Sequence, residues 1–305
     1  MSRTATTVDR LSDGDAPTAR PPLKKFDWAW IGVVPFFLYA ILFLFLPSAS
    51  IFVRSFQASD GSFTFQNIIN IFNRSDILSA YKASMSISII TSLGGAIFGF
   101  LLAYAVVLGG LPGPIRSFML TFSGVASNFA GVPLAFAFIA TMGNAGLVTR
   151  WLETAMGIDV HAYGFTIYNI WGLSIVYMYF QFPLMVLIMA PALDGLRKEW
   201  REACENLGGS YLQYWRYVAL PILLPSLLGT TILLFGNAFG AYATAYAFSG
   251  SFINLVTILI GAVIQGDVLY DPGLGNALAL GMILIMSLCM LGYAWSQRKA
   301  ARWVQ

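Results

Sequence analysis

The sequence predicts an all-α integral membrane protein of six transmembrane helices with both termini in the cytoplasm. Three observations carry that prediction. Of 305 residues, 58% are hydrophobic and only 10% charged; long stretches hold no charged residue at all; and the basic residues gather on one side of those stretches. A soluble domain carries about 25% charge, so the composition excludes a soluble globular enzyme, a disordered chain and a nucleic-acid binder. Asp, Glu, Lys, Arg and His are absent from 28–53, 83–115, 117–149, 162–193, 217–266 and 272–297. Each gap exceeds the roughly 20 residues that cross about 30 Å of hydrocarbon as a helix, and one charge at the bilayer centre would cost roughly 2.5 to 3.5 kcal/mol. The expected spans are about 28–53, 83–108, 117–142, 163–193, 218–248 and 273–297.

Residues 1–27 are rich in Thr, Ser, Asp and Pro, which predicts a disordered cytoplasmic tail. The apolar stretch after it is too long for a cleaved signal peptide. Arg3, Arg10, Arg20, Lys24 and Lys25 in this tail, and Arg298, Lys299 and Arg302 in the basic tail 298–305, place both ends inside by the positive-inside rule. In the first span Ile31, Val33, Phe36, Leu38, Ile41, Phe43 and their apolar neighbours favour insertion by roughly 4 to 7 kcal/mol, with nothing opposing them. The loop 54–82 lies outside and is moderately apolar, with Phe63, Phe65 and Phe72, which suggests a small cap. Gly95 with Gly99 in the second span and Gly236 with Gly240 in the fifth are small-residue pairs that let helices approach closely, first of all inside one subunit. Pro35, Pro133 and Pro183 fall inside spans and are expected to kink them. The gap 217–266 could hold two helices, but a seventh span would put the basic C-terminal tail outside. Residues 252–264 are therefore read as a half-length apolar segment at the outer face.

Chemistry is conspicuous by its absence. No Gly-rich loop ending in Lys-Ser or Lys-Thr can cradle nucleotide phosphates. The apolar gaps hold no carboxylate or histidine of the kind that relays protons or binds coupling ions. Cys204, Cys289 and the lone His161 form neither a disulfide framework nor a metal set. No catalytic residue, metal site or bound cofactor is expected, and any ATP and magnesium must be handled by a partner.

The informative stretch is the cytoplasmic loop 194–217. Asp194 can cap a first short helix, Gly208-Gly209 can end it in a left-handed turn, Ser210 can cap a second, and Pro221 suits the first turn of the fifth span. Leu196, Trp200, Ala203 and Leu207 make one apolar stripe beside Arg197, Lys198, Arg201, Glu202 and Glu205. A helix this short needs something to dock on: its own spans or a partner.

Glu202-Ala203-Cys204, three residues, Gly208, nine residues, then Val218, Ala219, Leu220 and Pro221 resembles the Glu-Ala-Ala loop of ATP-binding-cassette (ABC) importer permeases. That loop reads Glu-Ala-Ala, three residues, Gly, nine residues, Ile, any residue, Leu, Pro. Cys204 replaces the second Ala and Val218 the Ile. The resemblance implies a type I ABC importer permease fold in a bacterial inner membrane, with Glu202, Ala203, Cys204, Gly208, Leu220 and Pro221 coupling it to an ATPase. It also implies two ATP-binding cassette subunits, a second and paralogous permease half, and an extracytoplasmic solute-binding protein. Within the family the chain is most similar to polyamine permeases of the spermidine/putrescine type. The expected path is lined by uncharged polar and aromatic groups: Asn128, Tyr177, Gln181, Asn237, Tyr242 and Tyr246. Tyr177 with Gln181 and Tyr242 with Tyr246 each share a helix face. A secondary transporter or channel without an ATPase, or a membrane scaffold, are the competing readings.

Overall fold

The structure, a computed structural model, describes residues 29–58, 60–158, 166–250, 252–265 and 270–301. The tail 1–27, His161 and Arg302 lie outside the described residues. Among the described residues every regular element is helical, with one isolated antiparallel bridge between Gln57 and Phe63. Six helical stretches are long and apolar enough to cross a membrane. This is a multi-pass membrane protein.

The chain divides after Ser48 into two units. Ala29–Ala40 (α1) passes through a wide turn, Ile41–Phe45, into Leu46–Ser55 (α2). The wide turn has a local cause. The ring of Pro47 would strike the carbonyl four residues back, so the Leu46 N–H reaches Ile41 O, one residue further than in an α-helix. Phe36, Phe37, Phe43 and Phe45 are all exposed, as befits a helix whose surroundings are lipid.

In the second unit a tight turn through Gly61 clusters the rings of Phe56, Phe63 and Phe65. Asn67, on Gln66–Asn73 (α3), donates to the carbonyls of Ser55 and Gln57 at 3.3 and 2.9 Å. This is the cap expected of 54–82, although Ser75–Leu108 (α4) already begins within it. With 34 residues, α4 is about 50 Å long and overshoots the hydrocarbon.

Gly113–Asn128 (α5), Val132–Met142 (α6) and Leu147–Met156 (α7) follow. The expected third span, 117–142, is therefore not one helix. It is broken at Phe129-Ala130-Gly131, and Pro133 stands in the first turn of α6 instead of kinking a helix interior. Ile170–Asp194 (α8) starts later than the expected 163 because Asn169 caps it, its side chain accepting from the Gly172 N–H at 2.8 Å. Lys198–Asn206 (α9) and Tyr211–Tyr214 (α10) form the loop that follows α8. Leu220–Phe239 (α11) and Ala243–Ser249 (α12) replace the single expected span 218–248, broken at Gly240-Ala241-Tyr242. Val256–Gln265 (α13) is 10 residues long, about 15 Å and half a membrane crossing. Pro272–Ala301 (α14) is the last span.

Helices α4, α8 and α11 form the centre, and α4 with α8 is the most extensive pair. A Cβ on Gly95 would lie 3.0 Å from Gln181 Cβ, and one on Gly99 2.6 Å from Met185 Cβ, so both glycines serve contacts within the subunit. Gly236 does the same against Met286 of α14. Helix α13 is tied to the N-terminal end of α4: the Val256 N–H donates to Ser84 Oγ at 2.9 Å, and Asn254 Nδ2 to Asp76 O at 2.8 Å.

Candidate functional site

At its C-terminal end, α8 runs on through Asp194, which accepts from Arg116 at 2.6 and 2.8 Å and pins the first turn of α5 to the last turn of α8. Asp194 therefore does not cap α9. Arg197 occupies that position and provides no side-chain cap. After α9 the chain turns with Gly208 at φ +79, and the Gly209 N–H donates to Cys204 O at 2.9 Å. The two glycines answer different needs. Gly208 supplies the left-handed backbone, with no atom within 4 Å of a Cβ there, whereas a Cβ on Gly209 would lie 2.5 Å from Cys204 Sγ. Ser210 forms a capping box with Gln213. Helix α10 is not a separate second helix, because a wide turn at Trp215–Ala219, immediately before Leu220 and Pro221, carries it into α11.

The apolar stripe lies mostly open. Leu196 and Trp200 are half-buried, Ala203 is exposed and Leu207 is 89% exposed. Trp200, Ala203, Cys204, Leu207, Tyr217 and Val218 line a groove of about 540 Å³. Glu202, Leu220 and Pro221 are exposed beside or near it. On the other face Arg201 Nε donates to Glu205 at 2.8 Å, which raises the guanidinium pKa further. The chain's own spans leave the groove uncovered, so the stripe is a surface of a kind that docks a partner.

The second site lies where the two helix breaks meet. The Gly131 N–H donates to Thr244 Oγ1 at 2.8 Å, and the Tyr177 hydroxyl donates to Ala241 O at 2.9 Å. Backbone groups that leave a helical ladder need other partners, and these two bonds supply them. Tyr177 is 1% and Gln181 0% exposed, with Gln181 Nε2 donating to Thr91 Oγ1 at 3.1 Å. They hold α8 to its neighbours. Tyr242 and Tyr246 stack with ring centroids 5.5 Å apart and are exposed. Gly261 of α13 lets the Tyr242 ring approach, since a Cβ there would lie 3.0 Å from it. Asn128 is exposed and bonds back to Gly124 O. Asn237 lines a different groove, of about 700 Å³, with Thr230, Gly236, Met286 and Tyr293. The six polar residues thus form two buried supports, one exposed tyrosine pair and two separate amides. Thr244 and Gly131 escaped the sequence reading, although Gly131-Val132-Pro133 is a helix-start signal inside an apolar run.

Thr244 is 3% exposed, so Thr244→Val keeps its shape and strands the Gly131 N–H. The expected loss is about 1 to 3 kcal/mol of stability, read as a lower midpoint in thermal unfolding of the detergent-purified protein. An unchanged midpoint would show that the break is held by other contacts.

The family described as "Binding-protein-dependent transport system inner membrane component" matches residues 162–304. The sulfate transport system permease protein CysT of Salmonella typhimurium is 24% identical, over 83% of this chain and 86% of the relative. The spermidine/putrescine transport system permease protein PotB of Haemophilus influenzae is 24% identical, over 88% and 93%. In fold, the chain is similar to a subunit of a bacterial alginate ABC transporter crystallised with a periplasmic protein bound to an alginate pentasaccharide. The TM-score is 0.69 at 14% identity, covering 90% of this chain and 96% of that one.

Proposed function

We propose that the chain is an inner-membrane permease subunit of a binding-protein-dependent ABC importer, whose cytoplasmic groove is the ATPase dock and whose exposed tyrosine pair faces the solute; the family match and the permease relatives support this reading. As a permease subunit it is not itself an enzyme; ATP hydrolysis lies in separate subunits, where ATP and magnesium act. The observation that carries the proposal is the uncovered groove built on a Glu-Ala-Ala-like loop, with Gly208 at φ +79. Closure of two ATPase subunits on ATP moves the docked loop, and this chain rocks against a second, paralogous permease half. A cavity then opens toward a solute-loaded binding protein on the outer side of a bacterial inner membrane.

A cationic or zwitterionic solute, such as a polyamine, suits the site. Tyrosine faces attract ammonium groups by about 0.5 to 2 kcal/mol, and the stretch 217–266 around Tyr242 and Tyr246 holds no Arg or Lys to greet an oxyanion. The relative named for sulfate transport supports the second reading, an oxyanion. Uptake of labelled spermidine, putrescine and sulfate by the complete importer, each tested as competitor of the others, decides between them. Changing Tyr242 and Tyr246 together to Leu is expected to raise the half-saturation concentration or lower maximal uptake while assembly and ATP hydrolysis persist. Unchanged uptake kinetics at normal expression would remove the pair from the path.

A further inference from the structure

The cytoplasmic loop touches the membrane domain at a second place, on the side away from the groove. The Tyr104 hydroxyl, one turn from the end of α4, lies 2.6 Å from the Tyr211 hydroxyl in the first turn of α10, across 107 positions of sequence. The Arg201 guanidinium of α9 sits over the Tyr211 ring at 5.4 Å while Glu205 holds it from the other side at 2.8 Å. Trp215 receives both rings edge-on, Tyr104 at 5.4 Å and Tyr211 at 6.3 Å. Three elements, α9, α10 and α4, thus meet in one aromatic and charged contact. Helix α4 then runs the full depth of the membrane, close-packed on α8 through Gly95 and Gly99. At its far end it holds α13 by the Ser84 and Asp76 bonds, and α13 in turn abuts Tyr242 at Gly261.

We infer that Tyr104 and Tyr211 are positioning residues that link the cytoplasmic loop to α4, so that α4 carries loop movement to the outer-face segment α13 and the ring of Tyr242. The inference rests on the loop being the ATPase dock. A long helix packed along its whole length moves as one body, whereas the route through α11 is interrupted by the wide turn at Trp215–Ala219 and the break at Gly240-Ala241-Tyr242. The hydroxyl pair fixes the loop to the rigid route.

The test needs no knowledge of the solute. In the complete importer, Cys204→Ala and Cys289→Ser leave the chain free of thiols, and an environment-sensitive fluorophore is placed at Phe252→Cys, a site 89% exposed beside α13. MgATP with vanadate is the probe. The expected result is a fluorescence change whose amplitude falls about twofold or more in Tyr104→Phe and in Tyr211→Phe, and no further in the double variant. Both variants keep their rings, so ATP hydrolysis by the complex and thermal stability should stay as before. No change in the parent protein, undiminished amplitude in both single variants, or a compounded loss in the double variant would overturn the link. Glu202→Lys separates the two ideas. If its complex still assembles and gives the full change, the docking reading fails, whatever Tyr104 and Tyr211 do.

Discussion

Gly208→Val is expected to abolish uptake by the assembled importer while the chain still inserts in the membrane at normal levels. At φ +79 a β-branched residue is a steric outlier, and holding it there costs on the order of 1 to 3 kcal/mol. Nothing lies within 4 Å of a Cβ at this position, so the cost is conformational and not a clash. That distinction gives the test its control. Asn visits the left-handed region far more readily than Val, so Gly208→Asn should retain much of the uptake that Gly208→Val loses. A turn that shifts to suit Val would also move Gly209, whose approach to Cys204 leaves no room, and so reshape the groove. Glu202→Lys reverses a charge beside the groove without touching the turn and should lose ATPase recovery on purification of the complex. Full uptake by well-expressed Gly208→Val would sink the role given to this loop.

The number of long apolar stretches was legible in the sequence because the bilayer's penalty on charge writes them as gaps, but the third was misplaced: it runs over 132–156, not 117–142. The breaks at Phe129-Ala130-Gly131 and Gly240-Ala241-Tyr242 were not legible, because Phe129, Ala130, Gly240 and Ala241 are as apolar as the helices they separate. Hydropathy cannot see a hydrogen bond such as that from Gly131 to Thr244. For the same reason polarity alone could not sort the path residues. Tyr177 and Gln181 read like Tyr242 and Tyr246, yet the first pair turns inward to satisfy Ala241 and Thr91 and the second faces out. Asp194 was misplaced because its partner Arg116 is distant in the chain; locally it looked like a cap. The loop itself was legible because its requirements are local: a left-handed glycine, a capping serine and a proline at fixed spacing.

Gly99→Val is expected to damage the contact between α4 and α8 severely. Its Cβ would lie 2.6 Å from Met185 Cβ, 2.9 Å from Met185 Cγ and 3.2 Å from Phe182 O. The nearest of these atoms is attached directly to the backbone of α8 and the last belongs to it, so no side-chain rotation makes room. Helix α4 or α8 must move. Overpacking of this kind costs about 1 to 3 kcal/mol, and valine's two further methyl groups put the change at the upper end. The same helix pair carries the Gln181 to Thr91 bond and the Gly95 contact, so separation propagates along the bundle and should lower both the yield of folded protein and its unfolding midpoint in detergent. Gly95→Ala meets Gln181 Cβ at 3.0 Å and Leu234 Cδ1 at 3.2 Å; the leucine tip can yield in part, so a smaller loss is expected. Gly124→Ala meets nothing within 4 Å and should be neutral or stabilising, since alanine is the better helix former by about 1 kcal/mol. The order Gly99→Val, Gly95→Ala, Gly124→Ala in falling damage is the expected result. A Gly99→Val protein with the parent's melting midpoint would show that α4 and α8 are not pressed together at Gly99.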